Sequence, residues 1–138
     1  MYTSIIQVSE QLNDDELTEN SRHAWAGIDH VQLAMPVGCE AEAREFYVGV
    51  LGLEEMPKPA VMAVRGGCWF EAGAVKLHLG VEAEFVPARK AHPALLLRGL
   101  RDFIAAHGLA VTWNDEIVGT VRCHIDDPFG NRIELIEA

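Results

Sequence analysis

The chain has 138 residues, a size that suits one domain, and 49% of them are hydrophobic, enough for a core without disulfides or a structural metal. Eleven Lys and Arg stand against 21 Asp and Glu, giving a formal net charge of −10. That balance excludes the basic face that nucleic acid requires and opposes binding to an anionic membrane surface.

Cys39, Cys68 and Cys123 form no CxxC pair, so neither a disulfide framework nor a zinc knuckle is expected. Cys68 and Cys123 lie in strand-like segments and read as small buried residues. No apolar run approaches the ~18 residues of a membrane span. Nor is there a basic start followed by an apolar stretch, as a secretory leader has. A reducing, cytoplasmic setting is expected.

Residues 1–27 read as an acidic extension, with Glu10, Asp14, Asp15, Glu16 and Glu19 against Arg22. One short helix is expected around residues 9–18, with Trp25 pinning the segment's end to the body. From residue 28 a single domain begins. Val31, Leu33 and Met35 alternate with His30, Gln32 and Ala34, the period of two that marks a strand. Ala43, Phe46, Tyr47, Val50 and Leu51 form the stripe of an amphipathic helix, stopped by Gly52. Beyond the Pro57/Pro59 loop, residues 61–65 and 68–71 read as strands joined by Gly66-Gly67. Residues 74–81 read as a further strand, with Val75, Leu77 and Leu79 on one face and Lys76 and His78 on the other.

The order then repeats. Residues 92–97 read as a strand. Leu100, Phe103, Ile104 and His107 make a helical stripe closed by Gly108. Residues 109–113 and 120–125 are strand-like, Asp127-Pro128-Phe129-Gly130-Asn131 is a turn cluster, and 132–137 is the last strand. An internal duplication is the simplest account, with one module over about 28–82 and a second over about 92–137. The expected fold class is α+β, two β-α-β-β-β modules forming a half-open barrel.

Matched places in the two modules hold His30 and His92, at the first strands, and His78 and Glu134, in the last strands. Related by an approximate twofold, the two pairs would converge. Three imidazoles and a carboxylate suit Zn²⁺, Ni²⁺, Fe²⁺ or Mn²⁺, and six-coordinate binding would leave two positions for water or substrate. His23, His107 and His124 read as structural, His124 because no acid stands at the equivalent place. Gln32 shares the His30 face. Arg65 and Trp69 flank the Gly66-Gly67 turn, where they are candidates to contact a substrate.

Ile28-Asp29-His30-Val31, the Phe46-Tyr47 helix ending in Leu51-Gly52-Leu53, and the run from Asp127 to Leu135 resemble the vicinal oxygen chelate superfamily. That group holds glyoxalase I, bleomycin- and fosfomycin-resistance proteins and ring-cleaving dioxygenases. The resemblance covers about residues 28–137 and implies metal ligands at the first and last strands of each module. His30, His92 and Glu134 match glyoxalase I ligand positions, whereas His78 stands where that pattern often has Glu. It further implies Glu134 as the catalytic base and a homodimer.

The leading expectation is a metal-dependent lyase or isomerase acting on a small oxygenated metabolite. A metal-free drug-binding protein of the bleomycin-resistance kind is one alternative, which the acidic balance favours because that ligand is cationic. An extradiol-type dioxygenase, with two His and one carboxylate around Fe²⁺, is another.

Overall fold

The computed structural model describes residues 23–138. The helix expected at 9–18 lies outside the described residues. Trp25 does not pin the extension: its side chain is fully exposed.

Two modules follow one plan. In the first, β1 (Val31–Pro36) leads into α1 (Glu40–Arg44), which runs on as a π-helical segment (Glu45–Val50). Then come β2 (Glu54–Met56), the short α2 (Ala60–Ala63), β3 (Cys68–Ala72) and β4 (Val75–Glu82). The second comprises β5 (Ala94–Leu97), α3 (Leu100–His107), β6 (Thr112–Asn114), β7 (Arg122–Asp126) and β8 (Arg132–Glu137). Each makes a four-stranded sheet, ordered β1-β4-β3-β2 and β5-β8-β7-β6. In both, the first and last strands pair in parallel and the remaining pairs are antiparallel. The expected α+β duplication is the architecture observed.

Residues 61–65 do not form a strand. Pro59 starts a helical turn instead, its carbonyl accepting from the N–H groups of Met62 and Ala63. The strand that pairs with β3 is Glu54–Met56, immediately after buried Leu53 and ended by Pro57. Its period is too short to read in sequence. The helix expected over 43–51 widens into π geometry, with Leu51 N–H bonding Phe46 C=O five residues back. Val48, Gly49 and Val50, all poor helix formers, lie in that segment.

The sheets turn their apolar faces inward. Met35, Tyr47, Phe70, Leu77 and Leu79 from the first module share one core with Leu100, Ile104, Ile125, Ile133 and Leu135 from the second. Tyr47 stacks on Phe70 with ring centroids 5.1 Å apart. The other face of each sheet is left to polar residues. Glu134 and His78 are nonetheless buried there, at 8% exposure each, and buried polar groups of this kind need partners.

Candidate metal centre

The register explains which polar residues meet. In the first module β1 pairs Gln32 with His78, and β3 pairs Trp69 with His78. In the second, β5 pairs Ala94 with Glu134, and β7 pairs His124 with Glu134. His78 and Glu134 are therefore true equivalents, and His30 and His92 each stand two residues before the partner of that residue. The same plan makes Trp69 and His124 equivalents.

In the second module His92, His124 and Glu134 each offer a ligand atom, all within 4.8 Å of one another. The N–H of His92 Nδ1 donates to the carbonyl of Lys90 at 2.7 Å. A carbonyl only accepts, so in the neutral imidazole the lone pair sits on Nε2. That nitrogen faces Glu134 Oε2 at 3.3 Å. Arg122 Nη1 donates to the other oxygen, Oε1, at 2.7 Å, and its Nη2 donates to Asn114 Oδ1 at 3.0 Å. Arg122 Nε is buried with no hydrogen-bond partner among the described residues. The Arg122 guanidinium first, and then the bond to His92, hold the Glu134 carboxyl below the usual carboxylate range against the opposing cost of burial.

In the first module His30, His78 and Trp69 form a stack of three rings. The His30 and His78 centroids are 4.0 Å apart with planes 19° from parallel; His78 and Trp69 are 4.3 Å apart at 8°. The N–H of His30 Nδ1 donates to Asp29 Oδ2 at 2.8 Å. Burial, and then the charge of His30, push the His78 imidazole below its ordinary value, so it favours the neutral form. These residues line a cavity of about 390 Å³ with Gln32 and Met62.

One chain therefore gathers the four expected ligands as two pairs. His30 meets His78, and His92 meets Glu134; among the described residues, the group able to hold one ion contains His92 and Glu134 but neither His30 nor His78. Each pair belongs to its own parallel strand pairing, β1–β4 or β5–β8, and the two sheets share no strand. Between the modules lies a larger cavity, about 590 Å³, lined by Gln32, Leu33, Val86, His92 and Arg132 among others.

Comparison with solved structures decides the family. A glyoxalase family protein of Bacillus anthracis is 46% identical, the match covering 84% of this chain and 98% of that one, with a TM-score of 0.80. This chain belongs to the glyoxalase family. Lactoylglutathione lyase from Agrobacterium tumefaciens is 20% identical over 84% of this chain and 96% of its own, with a TM-score of 0.60. The fosfomycin resistance protein FosX from Listeria monocytogenes is 13% identical over 83% and 95%, with a TM-score of 0.63. These two share the fold, and all three belong to the vicinal oxygen chelate superfamily. No protein-family model and no curated protein matches the chain.

Within this glyoxalase-family chain the other expected site residues divide. Trp69 packs flat on His78, and Gln32 lies against Gly80 on the same face. Arg65 sits exposed in the turn after α2, outside the lining of the cavities around His30 and His92. Sequence reasoning did not place Arg122 and His124 beside Glu134. The signal for His124 was present: it and Glu134 are equally far from Phe129, so a hairpin folded at the Asp127–Asn131 turn sets them opposite.

Proposed function

We propose that this protein is a glyoxalase-like, metal-dependent lyase or isomerase acting on a small oxygenated metabolite. The proposed ion, Zn²⁺, Ni²⁺, Fe²⁺ or Mn²⁺, is held at His92 and Glu134. The observation that carries this reading is the meeting of two electron-pair donors, His92 Nε2 and Glu134 Oε2, at 3.3 Å, with the far side of each group already anchored. Without a proton or a cation between them, such a contact is repulsive. Donors about 2.1 Å from an ion stand about 3.0–3.4 Å apart in octahedral or tetrahedral geometry, so the spacing suits one.

An ion held by His92 and Glu134 would supply electrophilic polarisation of adjacent substrate oxygens. The chain's own residues supply the rest. Glu134, held ionised by Arg122, is in the form that accepts a proton from carbon. The same pairing lowers its basicity, so the C–H must be acidified by coordination. Gln32 lines the cavity between the modules together with His92.

The four-ligand set requires a second copy of the chain, because His30 and His78 of the same chain stand apart. A homodimer that sets one copy's first module against the other's second module would bring the pairs together. Cys39, Cys68 and Cys123 are all free thiols, which fits a cytoplasmic setting. Among the described residues no helix is long and apolar enough to cross a membrane.

The test is elemental mass spectrometry on tag-free protein beside a His92→Ala/Glu134→Ala variant, with light scattering for the mass. Near-stoichiometric metal that vanishes in the variant is expected. A wild type still empty after incubation with all four ions would sink the metal reading and favour the drug-binding alternative.

A further inference from the structure

We infer that Arg132 anchors the substrate and that the substrate is an acid: a small, vicinally oxygenated molecule bearing one carboxylate, which the Arg132 guanidinium holds. This rests on the metal reading above.

The placement comes from the strand. Arg132 stands two residues before Glu134 in β8, so the two side chains share a face of the sheet. It lines the cavity of about 590 Å³ between the modules, with Gln32, His92 and Asn131. It also lines a second cavity, about 500 Å³, over β6 and β7, with Thr112, Asn114 and His124. Arg132 thus borders both spaces beside the His92–Glu134 pair. Among the described residues that line either one, it is the sole Lys or Arg.

Its charge is unspent. Asp126 is its cross-strand partner, yet among the described residues no carboxylate comes within 4.0 Å of the guanidinium. Two other cations on these sheet faces are engaged. Arg122 donates to Glu134 and Asn114. Lys76, at the matched place two residues before His78, has Glu71 at 4.0 Å. Asp126 and Glu82 are the acids among the described residues lining the two cavities, and at a net charge of −10 the chain as a whole repels anions. Holding one here takes a directed contact. A guanidinium offers it, because its planar fork takes both oxygens of a carboxylate. A single unspent cation balances the one charge of a carboxylate, whereas a phosphate monoester carries nearly two.

The experiment is calorimetry on the full-length, tag-free protein, loaded with the ion it takes up among Zn²⁺, Ni²⁺, Fe²⁺ and Mn²⁺. The probes are succinic acid monohydroxamate and its methyl ester. Both present the same adjacent oxygen pair, and only the first carries a carboxylate. Wild type should bind the acid about tenfold to a hundredfold more tightly than the ester, the range of a hydrogen bond to a charged group. Arg132→Met should bring that ratio close to unity, with metal uptake and urea midpoint at wild type, as the exposed position of Arg132 allows. Arg132→Lys keeps the charge and loses the fork, so it should retain only part of the ratio. A wild type that takes up metal but binds neither compound, or both alike, overturns the inference and leaves the metal reading standing. So does a preference that survives intact in Arg132→Met or in Arg132→Lys. If wild type takes up none of the four ions, both fall.

Discussion

Tyr47 in the first module donates its hydroxyl to Asp127 Oδ2 in the second, across 2.7 Å. Asp127 sits in the turn between β7 and β8 and is buried. Its Oδ1 accepts from the N–H groups of Phe129 and Asn131, and Oδ2 also accepts from Asn131 Nδ2. Asn131 reaches back to the carbonyl of Ala34 in β1. The turn therefore clamps the two modules together as well as reversing the chain. Burial and the neighbouring carboxylate push the Tyr47 phenol far above its ordinary value, so it remains a donor.

Tyr47→Phe should destabilise the protein by about 1.5–3 kcal/mol, the usual worth of a hydrogen bond to a charged group. The ring stays in place on Phe70, so little packing is lost. Urea unfolding measures it. A variant within 0.5 kcal/mol of wild type, the ordinary scatter of surface changes, would show that the clamp contributes nothing.

Arg122→Met tests the buried pair. Both side chains are mostly covered, with 15% and 10% exposure. Removing one partner of such a pair typically costs about 3–5 kcal/mol, and His92 as a remaining neighbour favours the low end. Adding Glu134→Gln to the variant should recover part of the loss, because no uncompensated charge then remains. Glu134 is held below its ordinary 4.5 in the fold, so its contribution is complete above that pH and is lost as pH falls through the lower, folded value. Acid titration of Arg122→Met should lack that part of the slope. Equal slopes in wild type and variant would contradict the assignment.

The modular plan was legible in the sequence because its signals are local. Val31-Leu33-Met35 and Ile133-Leu135 alternate cleanly, and Gly52 and Gly108 close matched helices in left-handed geometry. Pairing across strands was not legible. His124 looked structural because only the β7–β8 register puts it opposite Glu134, and Arg122 lies in a strand whose neighbours were undetermined. Residues 61–65 misled because Val61, Met62 and Val64 are strand-like residues on a helical turn with no apolar partner: Val61 and Val64 are exposed. His30 and His78 were correctly matched as equivalents of His92 and Glu134. Matching places says nothing, however, about which pairs one chain brings together.

His78 should titrate below its ordinary 6.5, since burial and the charge of His30 both oppose its protonation. The neutral ring's contribution to stability is complete above 6.5 and is lost as pH falls toward the folded value. Proton NMR of the imidazole, in metal-free protein, reads the midpoint directly. His30→Ala should raise it, by removing the neighbouring charge and opening the stack. A midpoint at or above 6.5 in wild type would mean that the ring is solvated and the stack is not formed.

Gly67 leads into β3, two residues before Trp69 of that stack. Its φ is +83°, and a Cβ there would lie 2.1 Å from the carbonyl oxygen of Leu79. Gly73 has a φ of +56° with open space around it. Gly73→Ala should therefore cost about 1–2 kcal/mol, the penalty of left-handed geometry alone. Gly67→Ala bears that penalty and must also push β3 away from β4 where Cys68 pairs with Leu79. Trp69 is the next residue along β3, so the displacement should also lift it from His78. Two readouts follow: a lower urea midpoint than Gly73→Ala, and a His78 titration moved up toward 6.5. If the two glycine variants unfold alike and His78 titrates as in wild type, the close approach of the two strands is not what fixes the ring stack.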